Sequence, residues 1–155
     1  MYINKKIVFL GLIFSSLLFA QDDGYFSKLE DRKIVVAPET YFTGKAVVDY
    51  LFPKDQTGTY GGAYVTFEPG ARTYWHLHPA GQHMIVTSGL GYTQEFGKAK
   101  KIIKAGDVLW CKPGVKHWHG ASPNQPMTHL VISGVKDGKS VEWLEKVSDE
   151  QYHEK

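Results

Sequence analysis

Two histidines one residue apart, a glutamine four positions further on and a third histidine beyond a Pro-Gly turn gather metal-binding side chains into two short blocks. These are His76, His78 and Gln82, in the run Gly70-Ala-Arg-Thr-Tyr-Trp-His-Leu-His-Pro-Ala-Gly-Gln82, and His117, in Pro113-Gly-Val-Lys-His117. Side chains at i and i+2 of a strand leave the same face, so His76 and His78 can turn their rings toward one cation. Gln82 returns after Pro79 and Gly81 with a neutral amide oxygen, and His117 arrives from a separate hairpin. Three imidazoles and one neutral oxygen suit one divalent transition metal: Mn, Fe, Co, Ni, Cu or Zn. They also leave coordination positions open for water or a small-molecule substrate.

Further histidines extend the pattern. His119 shares strand parity with His117, which places it deeper along the same face or behind a ligand. His129 sits between Met127 and Val131 on one strand face. An imidazole lining an apolar pocket suits acid–base work, because its ordinary pKa lies near working pH; the plainer role is a hydrogen-bonded core histidine. Ala63 and Val65 are small and share a face, which leaves room above a metal. Ala63, Val65, His119, Met127 and Val131 are therefore the expected substrate pocket. His83 points away from Gln82 and reads as structural, Arg72 as a solvated loop residue, and Trp75 and Trp118 as packing behind the ligands.

To position such a site the chain needs short strands, and it shows them. Tyr60 to Glu68 alternates, with Ala63, Val65 and Phe67 on one side and Tyr64, Thr66 and Glu68 on the other. Comparable segments are Lys45–Phe52, Thr73–His78, Gln82–Thr87, Tyr92–Phe96, Lys101–Lys104, Val108–Lys112, His117–Ala121, Thr128–Gly134 and Val141–Leu144, with Gly and Pro between them. Ile34 to Pro38 can add an edge strand. Such spacing argues for an all-β barrel or sandwich and against βαβ units. Glu145 to His153 is expected to form a terminal helix, with Ser148 capping toward Gln151.

A length of 155 residues suits one domain with a real core. Residues 1–20 read as a secretory signal, with Lys5-Lys6, an apolar run from Ile7 to Phe19 and Ala20 before Gln21-Asp22-Asp23. Export to a periplasm or the extracellular space follows, with no stable membrane insertion once the signal is cleaved. Residues 21–42 form an N-terminal arm and 43–155 the barrel domain. Without Lys5 and Lys6, basic and acidic residues balance at 16 each, which offers no electrostatic case for nucleic acid. Cys111 is the only cysteine; it excludes an intramolecular disulfide and reads as a buried strand residue. Stability must then come from the core, a metal or a second copy, and a homodimer through the arm and an outer strand is expected.

The two histidine blocks resemble the motifs of the cupin superfamily. The first runs from Gly70 through His76, His78 and Gln82 to Gly89, and the second from Gly106 through Pro113 and Gly114 to His117. Gln82 stands where most cupins carry Glu, and Ala121 where many carry Asn. From Tyr41-Phe-Thr-Gly44 to Asp149-Glu-Gln-Tyr152 the chain looks like the small bacterial cupins that include manganese-dependent hydroxynitrile lyases. The signals are Val65-Thr-Phe-Glu-Pro-Gly-Ala-Arg-Thr73, His76-Leu-His78-Pro, His117-Trp-His119-Gly-Ala121 and Met127-Thr-His129-Leu130.

That resemblance implies a double-stranded β-helix (jelly-roll) barrel with a short C-terminal helix. It implies His76, His78, Gln82 and His117 around manganese, and His129 as general base. The reaction implied is reversible cleavage of a cyanohydrin to an aldehyde and cyanide, with the substrate hydroxyl on the metal. Two other readings stay open at this level: a cupin dioxygenase of a small phenol or diketone, and a non-enzymatic module that binds a metal or small ligand.

Overall fold

Period-2 patterning in the sequence becomes an inside–outside alternation in the fold. The structure is a computed structural model that describes residues 26–54 and 58–154. The expected leader at 1–20 lies outside the described residues. A 3₁₀ turn at Leu29–Asp31 leads into β1 (Ile34–Val36), β2 (Phe42–Thr43), β3 (Ala46–Phe52), β4 (Tyr60–Phe67), β5 (Arg72–Thr73) and β6 (His76–Leu77). Then follow β7 (Gln82–Glu95), β8 (Lys101–Lys104), β9 (Val108–Cys111), β10 (His117–Ala121), β11 (Met127–Gly134), β12 (Glu142–Trp143) and the helix α1 (Asp149–His153). Among the described residues no helix is long and apolar enough to cross a membrane.

The strands join in the order β1-β3-β4-β11-β7-β10-β5-β2, with β6 beside β10, β12 beside β6, and both β8 and β9 beside β7. Each pairing is antiparallel. The chain is thus an all-β, antiparallel sheet that curls around its apolar face, with the short helix following the last strand. β1 forms through Ile34–Val36 and pairs with β3, so the segment before residue 43 does add an edge strand.

β7 departs from the sequence expectation. The expected strands Gln82–Thr87 and Tyr92–Phe96 are one 14-residue strand running through Gly89 and Gly91. Its first half pairs with β9 and β11, and its second half with β8 and β10, so β7 stitches the two halves of the fold together. The passage is made at Gly89, whose φ of +78° is in the left-handed region and whose missing side chain makes way for the Pro126 carbonyl. A register shift between Thr128 and His129 on β11 marks the same point. The expected strand Thr73–His78 is instead two short ones, β5 and β6, interrupted at Tyr74-Trp75.

Inside the curl, Ala63, Val65 and Phe67 of β4 meet Met84 and Val86 of β7 and Met127 and Val131 of β11 in one buried cluster. Tyr64 and Thr66 face outward as the alternation requires. A second cluster behind the histidine-bearing strands contains Trp75, Trp118, Val147 and Tyr152, with Tyr92 against it. The two tryptophans therefore pack behind the site. The helix is shorter than the expected Glu145–His153, and Ser148 caps it with the reciprocal Ser148–Gln151 pair read from the sequence.

Arg72 overturns its expectation. It is not a solvated loop residue but a buried member of β5. Its Nη2 lies 2.5 Å from Asp149 Oδ1 and donates to the Val147 carbonyl at 3.3 Å, while its guanidinium lies 4.5 Å from the Tyr152 ring centre. A guanidinium buried with an ion pair, a carbonyl and an aromatic face ties the C-terminal helix to the barrel. Cys111 is half-buried rather than fully buried, at the end of β9, where burial pushes its thiol up to about 11. A thiol held protonated is a poor nucleophile.

Candidate metal centre

Strand pairing brings the two histidine blocks face to face: His76 of β6 and His117 of β10 are direct register partners. His78 follows β6 with the same inward direction, as the burial of His76 and His78 on either side of half-buried Leu77 shows. The ring centres of His76, His78 and His117 lie 4.4 to 5.4 Å apart in all three pairings. Gln82 opens β7 and is buried. His76, His117 and His119 each offer one ring nitrogen to a cluster in which these atoms lie within 4.8 Å of one another, compact enough to hold a divalent metal ion; His78 is not part of that cluster.

Each of the four expected ligands has one end pinned by the protein. His76 Nδ1 lies 2.9 Å from the Tyr74 carbonyl, His78 Nδ1 2.6 Å from the Ser140 carbonyl and His117 Nδ1 2.9 Å from the Val115 carbonyl. A carbonyl only accepts, so these contacts put the proton on Nδ1 and leave a lone pair on Nε2 of each neutral ring. Gln82 Nε2 donates to Ser133 Oγ at 2.9 Å, which turns Oε1 the other way. His78 Nε2, His117 Nε2 and Gln82 Oε1 are then buried without a hydrogen-bond partner. Buried polar atoms are normally satisfied, and a cation is one partner that such donor atoms accept. Carbonyl contacts of this kind are also what orient ligating imidazoles in metal sites.

Burial, more than any other cause, holds the imidazoles neutral. It depresses His117, takes His78 down to about 4, and keeps His76 and His119 well below the usual histidine range, with neighbouring rings adding smaller repulsions at His76, His78 and His119. A neutral ring is the form that binds a metal, so the site needs little proton release to load.

His129 sits deeper. It is fully buried on β11, with its ring centre 4.8 Å from His119 and 5.5 Å from Phe67. Neither of its ring nitrogens has a hydrogen-bond partner, and burial lowers its pKa to about 3. His119 lies between the two groups, 5.1 Å from His76 and edge-on to His129, with its own Nδ1 unpartnered. Ala63, Val65, Met127 and Val131 are buried around it, with Val65 opposite His129 and Ala63 opposite Val131 across the β4–β11 pairing. His83 faces out and stacks on Trp110, 4.4 Å between ring centres. A groove of about 380 Å³ between β8 and β9 is a different place; of the residues named here as ligands, base or pocket, only His117 lines it.

Several supporting residues escaped the sequence reading. Ser133 holds the Gln82 amide, and the Ser140 carbonyl holds His78 from the β11–β12 connection. Phe67, read only as core, packs on both His119 and His129. Local spacing carries no signal for these, since they depend on register between distant strands. The pairing of Ser133 with Gln82 was accessible only after β11 and β7 had been aligned.

Comparisons with known proteins agree with this architecture. Residues 63–133 match the cupin domain family. An (R)-mandelonitrile lyase of Granulicella tundricola is 54% identical over 115 residues, spanning 74% of this chain and 88% of that protein. The crystal structure of a cupin-like protein from Thermotoga maritima superposes with a TM-score of 0.73 at 40% identity, over 84% of this chain and 95% of that one. The polyketide cyclase RemF of Streptomyces resistomycificus shares the fold at a TM-score of 0.66 and 15% identity, over 84% and 91% of the two chains. With its histidines on facing strands of the same curled sheet, this chain belongs to the cupin family.

Proposed function

We propose that the protein is a metal-dependent lyase that cleaves a cyanohydrin, with mandelonitrile the first substrate to test, into an aldehyde and hydrogen cyanide. The observation that carries the reading is the compact cluster of His76, His117 and His119, with unpartnered buried donor atoms on His78, Gln82 and His117, next to the buried imidazole of His129. The identity with the mandelonitrile lyase supports the choice of reaction.

His76, His78, Gln82 and His117 would hold the ion, and His119 is the alternative ligand that its distance to His76 and His117 allows. The carbonyl contacts on the Nδ1 atoms of His76, His78 and His117 favour the first set. Manganese is the proposed metal on the resemblance to manganese-dependent hydroxynitrile lyases; the donor set itself also suits iron, cobalt, nickel, copper or zinc. A bound divalent cation supplies Lewis acidity, which lowers the cost of developing alkoxide charge on the substrate oxygen.

His129 takes the hydroxyl proton at a ring nitrogen. The O–H electron pair becomes the second bond of the carbonyl, and the C–CN bond breaks with its pair on cyanide. His129 then returns the proton to cyanide. Burial keeps His129 neutral over the neutral and mildly acid range, so the acceptor nitrogen is present before substrate arrives, while the same burial weakens it as a base. Ala63, Val65, Met127 and Val131 supply apolar surface for the organic part of the substrate. The test is His129→Ala loaded with manganese. The reading expects wild-type metal content with kcat down at least about 100-fold; unchanged turnover would remove His129 from the chemistry.

Export through the 1–20 leader and a homodimer through the β1 edge also belong to this proposal. Ile34 and Val36 are exposed on that edge strand, which is the feature a second copy would cover.

A further inference from the structure

We propose that Ser133 is a positioning residue for the metal, acting through Gln82. The inference rests on the reading of Gln82 as a ligand. A primary amide that gives its oxygen to a cation strands its NH₂ on the opposite side. Inside a protein that group needs an acceptor, and leaving it buried without one is destabilising.

Here the acceptor is built in: Ser133 Oγ lies 2.9 Å from Gln82 Nε2, and the two residues are register partners across β11 and β7. Gln82 Oε1 is left buried and unpartnered. Fixed strands thus hold the amide with its oxygen already turned away from Ser133 and free to ligate. A carboxylate ligand at this position would have no NH₂ to satisfy. The serine therefore answers a requirement that the glutamine creates.

The test is Mn²⁺ affinity, measured on metal-free protein by competition with a chelating dye. The proteins are wild type, Ser133→Ala, Gln82→Ala and the double variant, with the melting temperature of each metal-free form as a check on folding. The proposal expects Ser133→Ala to weaken Mn²⁺ binding about 10-fold, within the range seen when a partner of a ligand is removed. Gln82→Ala should weaken it further, and Ser133→Ala should add nothing in the Gln82→Ala background. Ser133→Thr, which keeps an oxygen at Oγ, should restore most of the affinity.

Loss in Gln82→Ala with wild-type affinity in Ser133→Ala would overturn the role of Ser133 and leave the ligand set standing. Wild-type affinity in Gln82→Ala would overturn the ligand reading and the proposal with it. An equal loss from Ser133→Ala in both backgrounds would show that Ser133 acts on the barrel generally and not through the amide, and would also overturn it.

Discussion

At the scale of single residues, the site works because each imidazole is committed before a cation arrives. Carbonyls accept hydrogen bonds from Nδ1 of His76, His78 and His117, and burial keeps the rings neutral. His76→Ala removes the ring that faces both His78 and His117, and is expected to bring metal content to background in protein that is still folded. Full occupancy in that variant would reject the assignment.

The buried histidines also set a pH dependence for the metal-free protein. His129 and His78 have folded pKa values of about 3 and about 4, below the ordinary 6.5. Between roughly pH 6.5 and 4 the unfolded chain binds protons that the folded chain refuses, so stability falls as pH falls, by at most about 1.4 kcal/mol per pH unit for each such group. Thermal melts across that window should show the loss, and His129→Leu should flatten the slope. A variant with the same slope as wild type would contradict it.

His76, His78, Gln82 and His117 were legible because alternation and a Pro-Gly turn are local signals. Arg72 was not, because the Asp149 and Val147 that bury it lie more than seventy positions away and its own neighbourhood, next to Gly70, reads as a loop.

At the scale of elements, β7 decides whether the site exists. It carries Gln82 at one end, pairs with β11 below His129, and pairs with β10 up to His117. Gly89 lets one strand serve both halves, and a Cβ there would stand 1.9 Å from the Pro126 oxygen on a backbone with φ of +78°. Gly89→Ala is therefore expected to destabilise the protein by at least about 3 kcal/mol, from strain and steric conflict together. Denaturant unfolding would measure it, and a loss under about 1 kcal/mol would mean that the crossing is not tight.

Gly89 and Gly91 are why the sequence suggests two strands, Gln82–Thr87 and Tyr92–Phe96, where the fold has one. Glycine punctuates loops far more often than it lets a strand bend in place. The helix cap was legible, since Ser148 and Gln151 are three residues apart and act locally. Ser148→Ala should cost about 1 kcal/mol by the same measurement, and no change would show that packing of Tyr152 and Arg72 holds the helix alone.

At the scale of the whole molecule, the histidine-bearing strands are clamped between two packed layers. The apolar lumen lies on one side, and Trp75, Trp118, Val147 and Tyr152 on the other. That arrangement fixes ring positions but leaves the reaction to the residues around the metal, because the cupin fold is shared by proteins of different activity. Light scattering during size-exclusion chromatography should give a dimer mass, and a monomer would remove the β1 edge from the proposal. Oxygen uptake coupled to a phenol or diketone with iron bound would instead favour the oxygenase reading.

Cyanide release from mandelonitrile, followed on metal-stripped protein and again after adding one equivalent of Mn²⁺, bears most directly on the central claim. The account predicts background release from the stripped protein, recovery on reconstitution, and no recovery in His76→Ala. Equal release with and without metal, or none from fully loaded protein, would contradict it.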